Sequence, residues 1–181
     1  KFFLLIKRDK IMTIKIYVAS LEAYNQGRMV GGWVTPSDYE DYDKFRWAIM
    51  DATKNADEVA VHDYDGINLS NEYPNFKQLY EFCKALKDSW LDDEVILAYA
   101  GNIWRLESEL TPELIADAEG SYIGTYSSFQ ECADQWADAQ LENTDDFLRN
   151  YFDYEGYARD IEGDYAVCDV SNYNVAVFSN Y

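Results

Sequence analysis

Glu131, Asp134, Asp138 and Glu142 follow one another at steps of three, four and four, which places four carboxylates on one face of a helix. Neighbours at that spacing stand on the order of 6 Å apart, and each like-charged pair costs a few tenths of a kcal/mol. A surface arranged for stability would place Lys at these positions. The run instead continues through Asp145, Asp146, Asp153, Glu155, Asp160, Glu162 and Asp164, broken only by Arg149 and Arg159. From Leu106 to Tyr181, seventeen acidic residues meet those two arginines, a net −15. Such an array acts collectively, by attracting a cationic surface, and not through any one reactive group.

Catalytic and metal chemistry find little support. Pairs of carboxylates for glycoside hydrolysis could be drawn freely from thirty-four Asp and Glu, so no pair stands out. The sequence has no Gly-rich phosphate loop, no Gly-x-Ser-x-Gly elbow and no histidine pair. Asp63-Tyr64-Asp65-Gly66 opens like a calcium loop, but its sixth position is Asn68 and its twelfth Pro74, where Gly and Glu are required. His62, the single histidine, is expected to make a structural hydrogen bond with Asp63 at a strand end. Cys83, Cys132 and Cys168 are widely spaced and odd in number, which suits free buried thiols in a reducing cytoplasm and argues against a zinc site. The expectation is no catalytic residue, no metal and no cofactor.

The whole chain carries −19, with a pI near 4.2. Residues 1–11 carry a net +3, so residues 12–181 carry −22. The apolar run Phe2–Ile6 is too short for an export signal or a membrane span. Met12 precedes an immediate strand pattern, and 1–11 reads as an upstream extension. A hydrophobic content of 48% and an aromatic content of 17% exclude a disordered acidic tail, because the chain has enough apolar surface to bury a core. Two readings of the charge remain. One is a solvated acidic face, or an acidic adaptor for a basic protein. The other is imitation of a polyanion: duplex DNA carries about one charge per 1.7 Å, so −22 matches roughly 11 base pairs of phosphate.

The elements that must position this charge follow from periodicity. Ile14, Ile16 and Val18 alternate with Lys15 and Tyr17 as a half-buried strand; Val30–Thr35 is a second strand and Glu58–His62 a third. Asp38 is expected to cap a helix running to about Asn55, with Tyr42, Phe45, Ile49 and Ala52 inside. Phe76, Leu79, Tyr80, Cys83, Leu86 and Trp90 form one helical stripe. Asp92–Ile103 continues as helix, and Thr111-Pro112 starts another that stops near Gly120. This middle section is nearly neutral, because Lys77, Lys84, Lys87 and Arg105 oppose its acids. Tyr122–Tyr126 is a strand, and Ser128-x-x-Glu131 a capping box opening a helix to about Glu142, with Phe129, Ala133, Trp136 and Gln140 inward. Thr144 is expected to cap a helix through Phe152, with a short one over Tyr154–Asp160. Asp164–Val170 and Val175–Ser179 form a hairpin around Ser171–Asn174. The predicted class is α+β: two three-stranded antiparallel units, 12–75 and 120–181, flanking a helical middle domain, 76–119.

Several stretches also resemble the ArdA antirestriction proteins. They are Ile16–Leu21 with Tyr24-Asn25-Gln26-Gly27 and Gly31-Gly32-Trp33, Ala60–Asp65, Tyr122–Tyr126 with Ser128, and Asp153–Asp160. In the last, Ala158 stands where the family pattern has a second Gly. The resemblance implies an elongated, non-catalytic homodimer joined through the C-terminal domain. It also implies a surface that imitates B-form DNA and occupies the DNA-binding groove of type I restriction-modification enzymes, without binding nucleic acid or membrane. Such proteins are carried by mobile elements. On this reading the partner-binding carboxylates are Glu40, Asp41 and Asp43 in the first domain. In the rest of the chain they are Asp117, Glu119, Glu131, Asp134, Asp138, Glu142, Asp145, Asp146, Asp153, Glu155 and Asp160. Single charge removals should matter little.

Overall fold

The computed structural model describes residues 13–69, 71–102 and 110–180, so the reading of 1–11 as an extension lies outside the described residues. The chain divides into two compact units. One runs through Asp93 and includes the segment ending at Ala116; the other comprises the segment from Glu94 and the chain from Asp117 onward. The class is α+β, with a three-stranded antiparallel sheet in each unit.

In the first unit, strand β1 (Lys15–Ser20) lies between β2 (Gly31–Val34) and β3 (Val59–Asp65). β1 is followed at once by the short helix α1 (Leu21–Asn25), whose first turn is capped by the Ser20 hydroxyl, which accepts from Ala23 N at 3.2 Å. Ile16 and Val18 alternate inward as expected and are fully buried. Helix α2 (Tyr42–Ala52) sends Phe45 and Ile49 into the core, and α3 (Phe76–Asp88) sends Leu79, Phe82, Cys83 and Leu86. Phe45 stacks on Tyr80 with ring centres 5.7 Å apart, which joins the two helices in one aromatic core.

The structure corrects three sequence readings here. Asp41, not Asp38, caps α2, its carboxylate accepting from Lys44 N at 2.8 Å; Pro36–Asp38 forms a separate 3₁₀ turn, because proline fixes a turn before the helix begins. Trp90 lies past the end of α3 and is largely exposed. β3 runs beyond His62 to Asp65, so His62 is not at a strand end. Tyr17 pairs with Asp63 and Val18 with Val61, which leaves His62 as the extra residue of a β-bulge, its ring 4.7 Å from that of Tyr24. The Asp63 carboxylate accepts from Tyr64 N instead.

In the second unit, β6 (Asn174–Ser179) lies between β4 (Tyr122–Tyr126) and β5 (Tyr165–Val170). Ala176, Val177 and Phe178 on the central strand are fully buried. Helix α4 (Asp93–Asn102) contributes Tyr99, whose ring is 4.6 Å from Phe178, and Asn102, whose amide donates to Val167 O at 3.2 Å. Helix α5 (Pro112–Ser121) leads into β4. Helix α6 (Phe129–Gln140) buries Phe129, Cys132, Ala133 and Ala137, and packs with α8 (Tyr154–Ile161) through Ala158. Gln140, expected inside, is exposed and donates to the Tyr157 hydroxyl at 2.8 Å. The β5–β6 turn is Ser171–Tyr173, with Asn172 and Tyr173 both in the left-handed region at φ +60°.

Candidate functional site: the carboxylate surface

Of the fourteen carboxylates singled out by sequence, twelve are exposed; Glu119 and Asp134 are half-buried. Glu107 and Glu109, part of the same acidic run, lie outside the described residues. The first unit presents Glu40, Asp41 and Asp43 where α2 begins. Lys44, one turn on, forms ion pairs with Glu40 and, at 3.6 Å, with Asp41. Its pKa is raised, first by the Glu40 hydrogen bond. This patch is partly self-neutralised.

In the second unit the sequence supplies no cation but Arg149 and Arg159, and the acids find other partners. Ser128 caps α6 as expected, its hydroxyl accepting from Glu131 N at 3.2 Å. The return bond of the capping box lands one residue early. The Glu131 carboxylate accepts from Ser127 N at 2.8 Å and from the Ser127 hydroxyl at 2.6 Å. Those two bonds hold the Glu131 carboxyl below its usual range.

Asp145, not Thr144, caps the next helix, α7 (Asp146–Arg149), accepting from Phe147 N at 2.9 Å; the helix ends at Arg149, short of the expected Phe152. Asp153 caps α8 through Gly156 N at 2.8 Å. A Cβ at Gly156 would lie 2.8 Å from Asp153 Cγ, so a larger residue there must displace the capping carboxylate.

Asp138 ties three helices together. It accepts from the Tyr154 hydroxyl at 2.7 Å and from the Arg149 guanidinium at 3.0 Å. Its carboxyl is held below the ordinary range, first by Tyr154 and then by Arg149. Beside it, Asp134 accepts from the Gln130 amide at 2.7 Å, and the same amide nitrogen donates to Tyr154 O at 3.1 Å. Glu142, Asp146, Glu155 and Asp160 make no ion pair or side-chain hydrogen bond among the described residues and stand in solvent. Arg159 forms no ion pair among them either.

Among the described residues, helices α6, α7 and α8 thus present many carboxylates and one ion pair, Asp138 with Arg149. The family model of ArdA antirestriction proteins matches residues 16–173. This chain belongs to the ArdA antirestriction family. The match covers the first sheet from Ile16, strands β4 and β5 of the second and all fourteen carboxylates, and stops before β6. Comparison with curated proteins yields no match.

Sequence spacing located these carboxylates but missed what several of them bond to. Tyr154, Ser127 and Gln130, the neutral donors that hold Asp138, Glu131 and Asp134, carry no charge signal and were not singled out. Gln130 and Asp134 at i and i+4 on one helix could have been found by spacing. Tyr154 to Asp138 spans 16 residues and required the fold. No described helix is long and apolar enough to cross a membrane.

Proposed function

We propose that this ArdA protein is a DNA mimic. Its carboxylates occupy the DNA-binding groove of a type I restriction-modification enzyme and so block that enzyme's action on DNA. The observation that carries this reading is the charge of the second unit: helices α6, α7 and α8 present exposed carboxylates, and Arg149 is the one cation paired with any of them among the described residues. A groove built for phosphate would meet negative charge at comparable density, and the release of counterions on both sides would drive association. Carboxylates on helices cannot copy the donor and acceptor pattern of base edges, so the competition is for the groove and not for a sequence.

The protein acts as a homodimer joined through its C-terminal domain, in the cytoplasm where restriction enzymes work, without catalysing a reaction or binding nucleic acid itself. The three-domain division, 12–75, 76–119 and 120–181, belongs to this proposal. The contribution of each carboxylate is small and collective.

Competition tests the reading. Purified protein is bound to a type I restriction-modification enzyme and titrated with duplex DNA over a series of salt concentrations. The duplex should displace the protein, and log K should fall linearly with log salt. A partner that stays bound in excess duplex would make the protein an acidic adaptor instead. Loss of activity on one Asp→Asn change would replace the collective surface with a specific site.

A further inference from the structure

Helix α2 packs on one face of the first sheet, and the other face carries a row of side chains that crosses all three strands. Gly32 faces α2, since a Cβ there would lie 3.4 Å from Ala52 Cβ, and Ile16 and Val18 are buried. Alternation therefore turns Tyr17 and Trp33 to the opposite face. They are register partners, with ring centres 5.6 Å apart and planes inclined at 71°, and Trp33 is 51% exposed. Gly31 makes room for the pair: a Cβ there would lie 3.0 Å from Ala19 Cα and 3.1 Å from Tyr17 Cε1.

The bulge at His62 completes the row. Val61 opposes the buried Val18, so unbroken pairing would set His62 beside Tyr17; the extra residue sets Asp63 there instead. Asp63 is exposed. One of its carboxylate oxygens accepts from Tyr64 N, and the other makes no bond among the described residues. Register partners of this kind have Cβ atoms about 5 Å apart. Lys15, which also alternates outward, has Asp65 as its own register partner. The order across the sheet is thus Trp33, Tyr17, Asp63: two rings, then a carboxylate whose register partner is uncharged. Asp63 is not among the fourteen carboxylates of the proposed mimic surface, and the rings add nothing to a charge array.

Chemistry selects what can cover the row. Aromatic side chains on a sheet also seat the bases of single-stranded nucleic acid, but such grooves track the phosphates with basic residues. Here the row ends in a carboxylate, and a net charge of −19 opposes a polyanion. A neutral apolar partner would take water from Asp63 and return nothing. A cation answers both parts, because ring faces attract it and Asp63 accepts its N–H groups. Arginine fits better than lysine: its planar guanidinium lies against a ring while an N–H edge reaches a carboxylate. The homodimer contact proposed above uses 120–181, a different part of the chain.

We propose that Trp33, Tyr17 and Asp63 form a docking row for an arginine of a basic protein segment, the guanidinium lying against the rings with an N–H edge on Asp63. The row needs no imitation of DNA, since it recognises a side chain and not a groove.

End-blocked Gly-Gly-Arg-Gly-Gly and Gly-Gly-Lys-Gly-Gly test it, titrated into isotope-labelled full-length protein and followed by NMR. A single cation avoids multivalent binding to the acidic helices, and about 0.3 M salt screens exposed charge strongly. The arginine peptide should shift the Trp33 indole N–H and the Tyr17 and Asp63 amides, binding there about fivefold more tightly than the lysine peptide. Y17L/W33L, apolar without a π face, should erase that preference, and Y17F/W33F should keep it. D63N retains an acceptor for Tyr64 N and should bind the arginine peptide about threefold more weakly with an unchanged melting temperature. Equal affinity for the two peptides, shifts confined to α6–α8, or a preference that survives in Y17L/W33L overturns the row. So do shifts of the same three residues by oligothymidylate in place of the arginine peptide. A loss of self-association in Y17L/W33L without loss of peptide preference assigns the face to a second copy and overturns it too. If duplex DNA fails to displace the protein from a type I enzyme while the arginine peptide binds as stated, the mimic reading falls and the row stands.

Discussion

The two sheet units build the same three-stranded antiparallel layout from opposite ends of their segments. In the first, the earliest strand, β1, is central and later strands add on either side; in the second, the latest strand, β6, inserts between β4 and β5. Their handling of acid differs more. The first unit pairs carboxylates with lysines, as in Lys44 with Glu40 and Asp41, and Lys77 with Glu81 at 3.8 Å. Two further lysines serve backbone: Lys84 and Lys87 donate to Tyr39 O and Ser37 O at 3.2 Å each and fasten the approach to α2. The second unit, with two arginines, ties Glu131, Asp134, Asp145 and Asp153 to hydroxyls, an amide and backbone N–H groups. Neutral donors order a carboxylate without cancelling its charge. A unit can therefore remain strongly anionic and still fix where its charges lie.

The comparison can be broken at the cores first. Phe45→Ala and Phe178→Ala, each removing a fully buried ring, should destabilise by about 3–5 kcal/mol in urea titration. If the units are separate cores, hydrogen exchange should report the loss mainly in the unit that carries the substitution; uniform loss across both would erase the distinction.

Charge comes next. E142Q/D146N/E155Q/D160N removes four carboxylates without described structural bonds, and should weaken enzyme binding roughly a hundredfold at low salt while lowering the salt slope by about 3. E40Q/D41N/D43N should do less, because Lys44 already offsets that patch. Equal effects would mean that the first unit matters as much as the second.

A smaller effect is expected at the α8 cap. Gly156→Ala should displace Asp153 and lower stability by about 1–2 kcal/mol in thermal melts, whereas a comparable change at Gly163, where an added Cβ meets nothing within 4 Å, should be close to neutral.

The smallest effect is the acid response of Asp138. Its depressed folded pKa means that the native state favours the ionised form, so its stabilisation is complete above the unfolded value of about 3.9 and is lost as pH falls through the lower folded value. The melting difference between wild type and Asp138→Asn should therefore be present at neutral pH and fade below about pH 4. A difference that persists at lower pH would point to packing, not ionisation.

Local signals in the sequence sufficed for much of this. Alternation in Ile16 and Val18, the three-and-four spacing in α3 and α6, and Ser128 before Glu131 each act within a turn or two of chain, and the elements formed where those signals stood. The same holds for the carboxylates, whose exposure follows from their charge. Cap positions were missed by one to three residues because Asp38 and Thr144 have the right chemistry but lie beside residues with better geometry, Asp41 and Asp145.

Sequence alone determined the elements, the class and the excess of negative charge, because propensity, periodicity and ionisation are properties of near neighbours. Only the tertiary structure decided which strand is central, that His62 falls in a bulge, and that Asp138 is held by Arg149 and Tyr154, 11 and 16 residues away. Those outcomes depend on which distant groups fill one another's hydrogen-bonding and packing needs once the chain has closed on itself, and no local pattern encodes that choice.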